Sequence, residues 1–165
     1  MTFPDTYTRF IAFLDQHGAR YRLIDHPPEG RTEIVSAMRG HAVHSAAKCL
    51  IVMIKIGRKV TKYALGVVPG DARIDLGAIK ALKHGTFVSF STPAMAEELS
   101  GSPIGTVLPF AFDPRLELIV DPELLKNDEL YFNAARLDRS IALKTEDYVR
   151  LAHPRLERIA EQRTP

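Results

Sequence analysis

The chain has 165 residues, of which 45% are hydrophobic, and this is enough for one domain with one sizeable core. Its 22 lysines and arginines are nearly balanced by 20 acidic residues, giving a formal charge of +2. The sequence therefore lacks the strongly basic surface of proteins that coat nucleic acids without specificity. We predict a single domain over residues 1–165 in which any contact with RNA or DNA is local, and DNA is not an expected partner.

Cysteine content and hydropathy bear on the cellular compartment. Cys49 is the single cysteine, which excludes an intrachain disulfide framework and favours a reducing compartment. The N-terminal segment lacks an apolar stretch flanked by basic residues, and nowhere do about 18 apolar residues follow one another. We therefore expect a cytoplasmic protein without membrane contact.

Hydrophobic spacing predicts the order of helices and strands. The predicted elements are a helix at 6–17, a strand at 20–25, a short helix at 33–40, strands at 48–56 and 60–68, a helix at 75–84, a strand at 86–90, a helix at 92–101, strands at 116–120, 130–132 and 140–144, and a helix from about 146. A charged, frayed tail is expected to follow the last helix.

Polar residues before the predicted helices are candidate N-caps. Asp5, Thr32 and Thr92 each precede an apolar helical pattern, so their side chains can accept the first free N–H groups of the helix. Asp71 or Asp75 can cap the helix at 75–84, and the alternative for either carboxylate is contact with a ligand.

The segments 48–56 and 60–68 form the clearest pair of strands. A short connection at 57–59 suits a hairpin, which makes the pair antiparallel. The first segment is apolar on both faces, so we expect it to lie in the centre of a sheet. Helices and strands do not alternate regularly, and this favours a mixed α+β fold over a doubly wound nucleotide-binding fold.

Lys48 stands at the start of this apolar segment and shares its side-chain direction with Leu50, Val52 and Ile54. Its ammonium can reach solvent at the strand end, or it can line a cavity as a cation that awaits an oxygen-rich ligand. Cys49 points the opposite way, so Lys48 cannot easily activate its thiol, and we predict a core cysteine.

The segment "GSPIGTVLPF", residues 101–110, is rich in glycine and proline yet apolar. Gly101 can end the preceding helix, and the rest can be a structural turn. Alternatively, Gly105 lets the backbone approach a ligand closely, so that N–H groups can bind an oxygen. Gly105 and the pair Pro109 and Phe110 are what the purely structural interpretation leaves unexplained.

Other catalytic patterns are absent from the sequence. No GxSxG, P-loop, GxGxxG or zinc-type spacing occurs. His41 and His44 could share one helical face, but no further ligand stands at a recognisable spacing, so surface histidines are favoured over a metal site. A metal hydrolase using these two residues stays as an alternative. We expect no cofactor.

Five fragments in the same order resemble the YbaK family, the prolyl-tRNA-synthetase-associated editing domains. They are "AAKCLIVMIK", "LGVVPGDARIDL", "ELSGSPIGTVLPF", "LELIVDPEL" and "YFNAARLDRSIAL". The resemblance runs from about residue 22 to about residue 153. It implies a mixed, largely antiparallel, barrel-like sheet surrounded by helices. It also implies a free-standing deacylase that hydrolyses mischarged aminoacyl-tRNA in trans, with a synthetase as a possible transient partner.

The resemblance also assigns roles to residues. Lys48 is expected to hold the terminal adenosine or its phosphate, while the loop from Gly105 to Pro109 binds the aminoacyl group near its carbonyl, with Phe110 as an anchor in the core. A hydroxyl of the adenosine helps to activate water. Residues counted as substrate-binding on this basis or as weak guesses are Gly101, Thr106, Val107, Leu108, Ser36, Met38, Val67 and Asp71.

The expected cargo is a small amino acid, namely serine or threonine, alanine or cysteine, because editing pockets select by size. Basic residues that could meet the acceptor stem, or simply be solvated, are Arg20, Arg22, Arg39, Lys55 and Lys62. The alternative from another class is a noncatalytic module that binds aminoacyl-tRNA or a nucleotide in association with a synthetase.

Overall fold

The structure, a computed structural model, describes residues 5–103 and 105–161. Its α-helices are α1 Thr6–Gln16, α2 Thr32–Arg39, α3 Leu76–Leu82, α4 Pro93–Ser100 and α5 Thr145–Ala152. Its strands are β1 Tyr21–Asp25, β2 Ala47–Ile56, β3 Val60–Pro69, β4 Phe87–Phe90, β5 Leu116–Val120, β6 Glu129–Asn133, β7 Arg139–Lys144 and β8 Arg155–Leu156. Short 3-10 helices span Val43–Ser45 and Pro122–Lys126. Within the described ranges, every helix is too short or too polar to cross a membrane.

The hairpin of β2 and β3 is confirmed. The two strands are antiparallel along their whole length, from the pair Ala47 and Pro69 to the pair Ile56 and Val60. β4 pairs with the other edge of β2, so β2 is a central strand, as its two apolar faces predict.

The strands form two sheets. The larger has the order β4-β2-β3-β5-β8, in which β3 and β5 and also β5 and β8 are parallel. The smaller is antiparallel with the order β1-β7-β6, and a parallel bridge between Ala46 and Tyr131 joins it to the larger sheet. The mixed α+β fold is thus confirmed. The barrel-like closure is not, because within the described ranges β8 is a two-residue edge strand that pairs with β5 alone.

The central hairpin separates two parts of the core. Side chains of β2 and β3 alternate between the two faces of the sheet. Ile51 and Leu65 belong to the larger cluster, which also contains the aromatic residues of α1 and of the segment after α4. Val52 and Ile54 belong to the smaller cluster, under α3. The parity that places Lys48 with Leu50, Val52 and Ile54 is therefore the parity of the smaller cluster.

Most of the predicted caps are confirmed. Asp5, Asp75 and Thr92 each accept the N–H of the residue three positions later. The prediction for Thr32 is wrong, because Thr32 is the first residue of α2 and Arg31 occupies the N-cap position without a side-chain hydrogen bond. The Glu29 carboxylate instead accepts a hydrogen bond from the backbone N–H of Arg31. This contact holds the residues directly before α2.

The described part of the segment after α5, residues 153–161, packs against the domain, which contradicts the expected fraying for these residues. β8 pairs with β5, and Ile159 is completely buried in the smaller cluster. The buried carboxylate of Asp121 accepts the N–H groups of Ile159 and Ala160, each at 2.9 Å. The Asp121 carboxylate, which is distant in the sequence, therefore holds this segment in place. The charged sequence of the segment itself does not reveal the contact.

We predict that Asp121→Ala lowers the free energy of unfolding by about 2–4 kcal/mol, because three backbone N–H groups, including that of Glu123, lose their buried acceptor. Urea unfolding measures this. The control is Glu123→Ala, which removes an exposed ion pair with Lys126 and should cost no more than about 0.5 kcal/mol. Equal losses in the two variants would show that Asp121 does not hold the C-terminal segment.

Candidate functional site

Two neighbouring cavities open beside the start of β2, and they share a wall of Lys48, Leu50 and Phe90. The first has a volume of about 370 Å³ and the second about 540 Å³. The first cavity is lined by Gly30, Thr32, Val35, Arg39, Ala46, Ala47, Lys48, Cys49, Leu50, Ile51, Phe90, Ser91, Pro93, Ala96, Gly105, Val107, Phe132 and Asn133. It thus brings together Lys48 and the glycine loop, which lie far apart in the sequence.

Lys48 lies on the boundary between the two cavities. Its Nζ donates a hydrogen bond to the carbonyl oxygen of Ala72 at 3.0 Å. Within the described ranges it forms no ion pair with a carboxylate, so other N–H bonds of the ammonium remain available to a ligand. The Lys48 side chain reaches the end of the strand and also lines a cavity there. Its position thus has features of both interpretations drawn from the sequence.

The loop after α4 alternates between the cavity and the core. Gly105 and Val107 line the cavity. Thr106, between them, is buried, and its hydroxyl donates to the carbonyl oxygen of Pro103 at 2.7 Å. Within residues 5–103 and 105–161, the N–H groups of Gly105 and Val107 have no hydrogen-bond acceptor.

The rest of this loop is anchored in the core. Leu108 is buried, and the Pro109 carbonyl accepts a 2.7 Å hydrogen bond from the buried hydroxyl of Tyr148. Phe110 is buried against Phe10, with ring centroids 5.0 Å apart, so its predicted anchoring is confirmed. Pro109 therefore anchors the loop to the core through its carbonyl oxygen and does not line the cavity.

Two glycines face each other where this loop passes the segment before α2. Gly105 has a φ of +83°, and a Cβ there would lie 3.1 Å from Cα of Gly30. In the reverse direction, a Cβ on Gly30 would lie 3.3 Å from Cα of Gly105. Close backbone packing thus favours glycine at both positions, and the positive φ favours it further at Gly105.

Asn133, at the end of β6, ties these two segments together. Its Nδ2 donates to the carbonyl oxygens of Glu29 at 2.9 Å and Gly105 at 3.0 Å. Its Oδ1 accepts a 2.9 Å hydrogen bond from the Ser140 hydroxyl. Sequence reasoning missed Asn133, although a polar residue directly after the apolar "LYF" was a usable signal.

Arg39 is a second cation in the wall of the first cavity. Its guanidinium donates to Nε2 of His41 at 3.0 Å and to Oγ of Ser140 at 3.1 Å. Burial lowers the pKa of Arg39 to about 10, which leaves it charged at neutral pH. Among the described residues it has no carboxylate partner, so the cavity retains an uncompensated positive charge.

Several predicted residues lie away from both cavities. Gly101 is the C-cap of α4, and its carbonyl accepts a 2.6 Å hydrogen bond from the Thr6 hydroxyl. Those remaining are Ser36, buried in α2; Met38, exposed on α2; Val67, buried in β3; and Asp71, exposed in the turn after β3. None of these five residues is part of the described lining of either cavity, although Asp71 precedes Ala72, the acceptor of the Lys48 hydrogen bond.

The histidines and the cysteine have other partners. The ring of His41 stacks on Tyr131 at 3.7 Å between centroids, and burial lowers the pKa of His41 to about 4. His44 is hydrogen-bonded to Asn127. Cys49 packs against the larger core cluster, as predicted, and burial raises the pKa of its thiol. In the described part of the chain, no three His, Cys, Asp or Glu residues are placed to hold a metal ion.

The described lining of the first cavity contains no carboxylate and no histidine. This described lining therefore offers no carboxylate or imidazole side chain that could act as a general base. What the described lining offers is two cations, backbone N–H groups of the loop at Gly105 and Val107, and apolar walls.

The sequence matches a family model described as the aminoacyl-tRNA editing domain over residues 26–151. It is 40% identical over 152 residues to the multifunctional Ser/Thr-tRNA deacylase ProXp-y of Escherichia coli strain K12. That alignment covers 92% of this chain and 90% of the relative. The same protein from Escherichia coli O157:H7 matches equally.

Solved structures share the fold. A hypothetical protein superposes with a TM-score of 0.82 at 23% identity, covering 93% of this chain and 99% of the other. A candidate trans-editing enzyme for prolyl-tRNA synthetase superposes with a TM-score of 0.78 at 22% identity, covering 98% and 100%. The recognition of an editing enzyme from five sequence fragments is confirmed, and the chain belongs to the family of aminoacyl-tRNA editing domains.

Proposed function

We propose that this protein hydrolyses the ester bond of tRNA mischarged with a small amino acid, and that the first cavity is its active site. The observation that carries the proposal is the loop at Gly105 and Val107, whose N–H groups have no acceptor among the described residues and border a cavity that also contains Lys48. Family membership and the name of the 40% identical relative support the same reaction.

The loop provides electrostatic stabilisation in the proposed reaction. Water adds to the ester carbonyl carbon, and negative charge develops on the carbonyl oxygen. Backbone N–H groups of Gly105 and Val107 donate to that oxyanion, a contribution of about 3–4 kcal/mol per donor in comparable sites. Asn133 holds the carbonyl oxygen of Gly105, so the loop does not have to reorganise during the reaction.

The proton acceptor in this mechanism comes from the substrate. The described lining of the cavity has no carboxylate or histidine, and burial keeps the Cys49 thiol protonated. A hydroxyl of the terminal ribose activates the water, as the family resemblance implies. The intermediate then expels the esterified ribose oxygen, which takes up a proton, and the products are the free amino acid and uncharged tRNA.

The two cations hold the anionic end of the RNA. Lys48 presents its ammonium at the boundary of the cavities, and Arg39 lies in the wall of the first. A phosphate that enters such a site gains charge-assisted hydrogen bonds without displacing a protein carboxylate. Arg39 was predicted only as one of several basic residues near the acceptor stem, and we now place it at the cavity.

Small residues set the size limit of the pocket. Ala46, Ala47 and Ala96 form part of the wall, while Phe132 and Ile51 close it. Hydrophobic pockets discriminate one methylene by only about 1–3 kcal/mol. The name of the 40% identical relative favours serine and threonine over alanine and cysteine as cargo. Action in trans, with transient contact to a synthetase, is part of the same proposal.

We predict that wild-type protein releases serine or threonine from a panel of tRNAs charged with serine, threonine, alanine, cysteine or proline, and that Lys48→Ala reduces kcat/KM by about 10–100-fold. The reason is the loss of a charge-assisted contact to the 3′ end, worth about 1.5–3 kcal/mol. Single-turnover deacylation measures both results.

Lys59→Ala, in the exposed hairpin turn, is the control for loss of positive charge and should leave kcat/KM unchanged. If wild-type protein binds the charged tRNAs but releases no amino acid, the noncatalytic binding module becomes the better interpretation.

Gly105→Ala tests the oxyanion donors. We predict a fall in kcat of about 100-fold with a small change in KM, because the added Cβ strains a backbone of positive φ and presses on Gly30. The matched control is Gly57→Ala, which also has positive φ but has open space around its Cβ in the hairpin turn. Equal kcat values for the two variants would contradict a role of the loop in catalysis.

A further inference from the structure

Two phenylalanines on the edge strand β4 are half exposed, Phe87 at 53% and Phe90 at 50%. Phe90 pairs with Val52 and lies on the same face of the sheet as Lys48 and Leu50, whereas Phe87 pairs with Lys55 on the opposite face. Phe90 lines both cavities, and Phe87 lines neither. An exposed aromatic ring at the junction of two cavities offers a flat surface to a ligand.

The second cavity has the chemistry of a nucleobase site. Its walls include the apolar side chains of Leu50, Ile74 and Leu76 in addition to Phe90. Arg73 and Lys48 are balanced there by two carboxylates, those of Asp75 and Glu161. The balanced charge does not favour a bare phosphate. Apolar walls with polar groups at the edge suit a flat, uncharged base that carries donors and acceptors.

One of the polar groups has spare hydrogen-bonding capacity. Oδ1 of Asp75 accepts the N–H of Ala78 at the start of α3. Oδ2 of Asp75 accepts no hydrogen bond from any residue the structure describes. A carboxylate oxygen in this position can accept a hydrogen bond from the exocyclic amino group of an adenine.

The arrangement of the cavities fits the order of groups at the end of a charged tRNA. The ester lies on the ribose of the terminal nucleotide, so only one sugar separates the reacting carbonyl from the base. With the carbonyl at Gly105 in the first cavity, the ribose lies beside Lys48 in the shared wall. The base then reaches the second cavity across the ring of Phe90.

We propose that the second cavity binds the terminal adenine of the tRNA, with Phe90 as its stacking surface. This inference rests on the proposed function, since that function places the ester in the first cavity. It adds a subsite whose contribution is to affinity for the 3′ end and not to the chemical step. Base stacking on an aromatic side chain does not require a particular sequence elsewhere in the RNA.

The test compares Phe90→Ala, Phe90→Leu and Phe90→Tyr with Phe87→Ala in single-turnover deacylation of seryl-tRNA or threonyl-tRNA. We expect Phe90→Ala to raise the half-saturating tRNA concentration about tenfold with less than a threefold change in the maximal rate. Phe90→Tyr should retain wild-type affinity, and Phe90→Leu should lie between. Phe87→Ala, which removes an equally exposed ring, should match the wild type. Equal effects of Phe87→Ala and Phe90→Ala would overturn the proposal.

A second substrate identifies the base. The ester is placed on an RNA hairpin that ends in CCA, or on the same hairpin whose last nucleotide keeps its ribose but lacks its base. Wild-type protein should bind the abasic hairpin about tenfold more weakly, and Phe90→Ala should add no further loss on it. If the penultimate base instead shows this coupling to Phe90, the assignment to the terminal adenine is wrong.

Failure of the subsite and failure of the proposed function give different results. Fluorescence anisotropy measures the Kd of the uncharged CCA hairpin without any hydrolysis. If wild-type protein releases no amino acid yet binds this hairpin better than the abasic one through Phe90, the deacylase function fails and the base subsite stands. If deacylation proceeds but the two hairpins bind equally, the base subsite fails alone.

Discussion

The antiparallel pairing of β2 with β3 is the constraint on which the candidate site depends. Its ten-residue register fixes which side chains of β2 face each part of the core. A shift by one residue would exchange the faces, moving Lys48 to the larger cluster and Cys49 to the cavity boundary. Burial on both faces makes such a shift costly. The position of Lys48 is therefore set by the hydrophobic residues that follow it in the strand.

The positive charge of the site depends on the hydrogen-bond partners of Arg39. A partly buried arginine often has a carboxylate partner, and such a partner would neutralise it toward an incoming ligand. Arg39 has neutral partners instead, in His41 and Ser140. The low pKa of His41 keeps that ring neutral, so it can accept a hydrogen bond from the guanidinium. The protein thus bears the desolvation of one cation, and the positive charge stays available to an anion in the cavity.

Local patterns in the sequence predicted most elements of the fold but not their arrangement. The hairpin, the central position of β2 and three helix caps follow from spacing and turn chemistry over a few residues. The parallel pairing of β3 with β5 joins Tyr63 to Leu116, and no local signal encodes such a contact. The ordered tail depends likewise on the distant carboxylate of Asp121.

The candidate site was predictable to the same extent. Lys48 and Gly105 stood out because each breaks a local pattern, a lysine in an apolar strand and a glycine in an apolar loop. Arg39 and Phe90 are ordinary in their local context, and Asn133 differs from its surroundings only as a polar residue after a short apolar run. Their positions around the cavity result from the packing of three separate elements, β6, α2 and β4, which the sequence pattern alone does not specify. The five fragments that resemble the family indicated the enzyme class, but they did not indicate these three residues.

The contact of Gly30 with Gly105 has a consequence for how the protein becomes active. Asn133 holds both segments, and its hydrogen bonds close chain loops of 104 and 28 residues. Contacts at such separations form after local ones, because the chain must first lose the entropy of closing those loops. During synthesis, the cavity cannot be complete until the ribosome has released the strand that carries Asn133. A chain truncated before β6 would keep Lys48 and both glycines yet lack the side chain that holds the two glycine segments together.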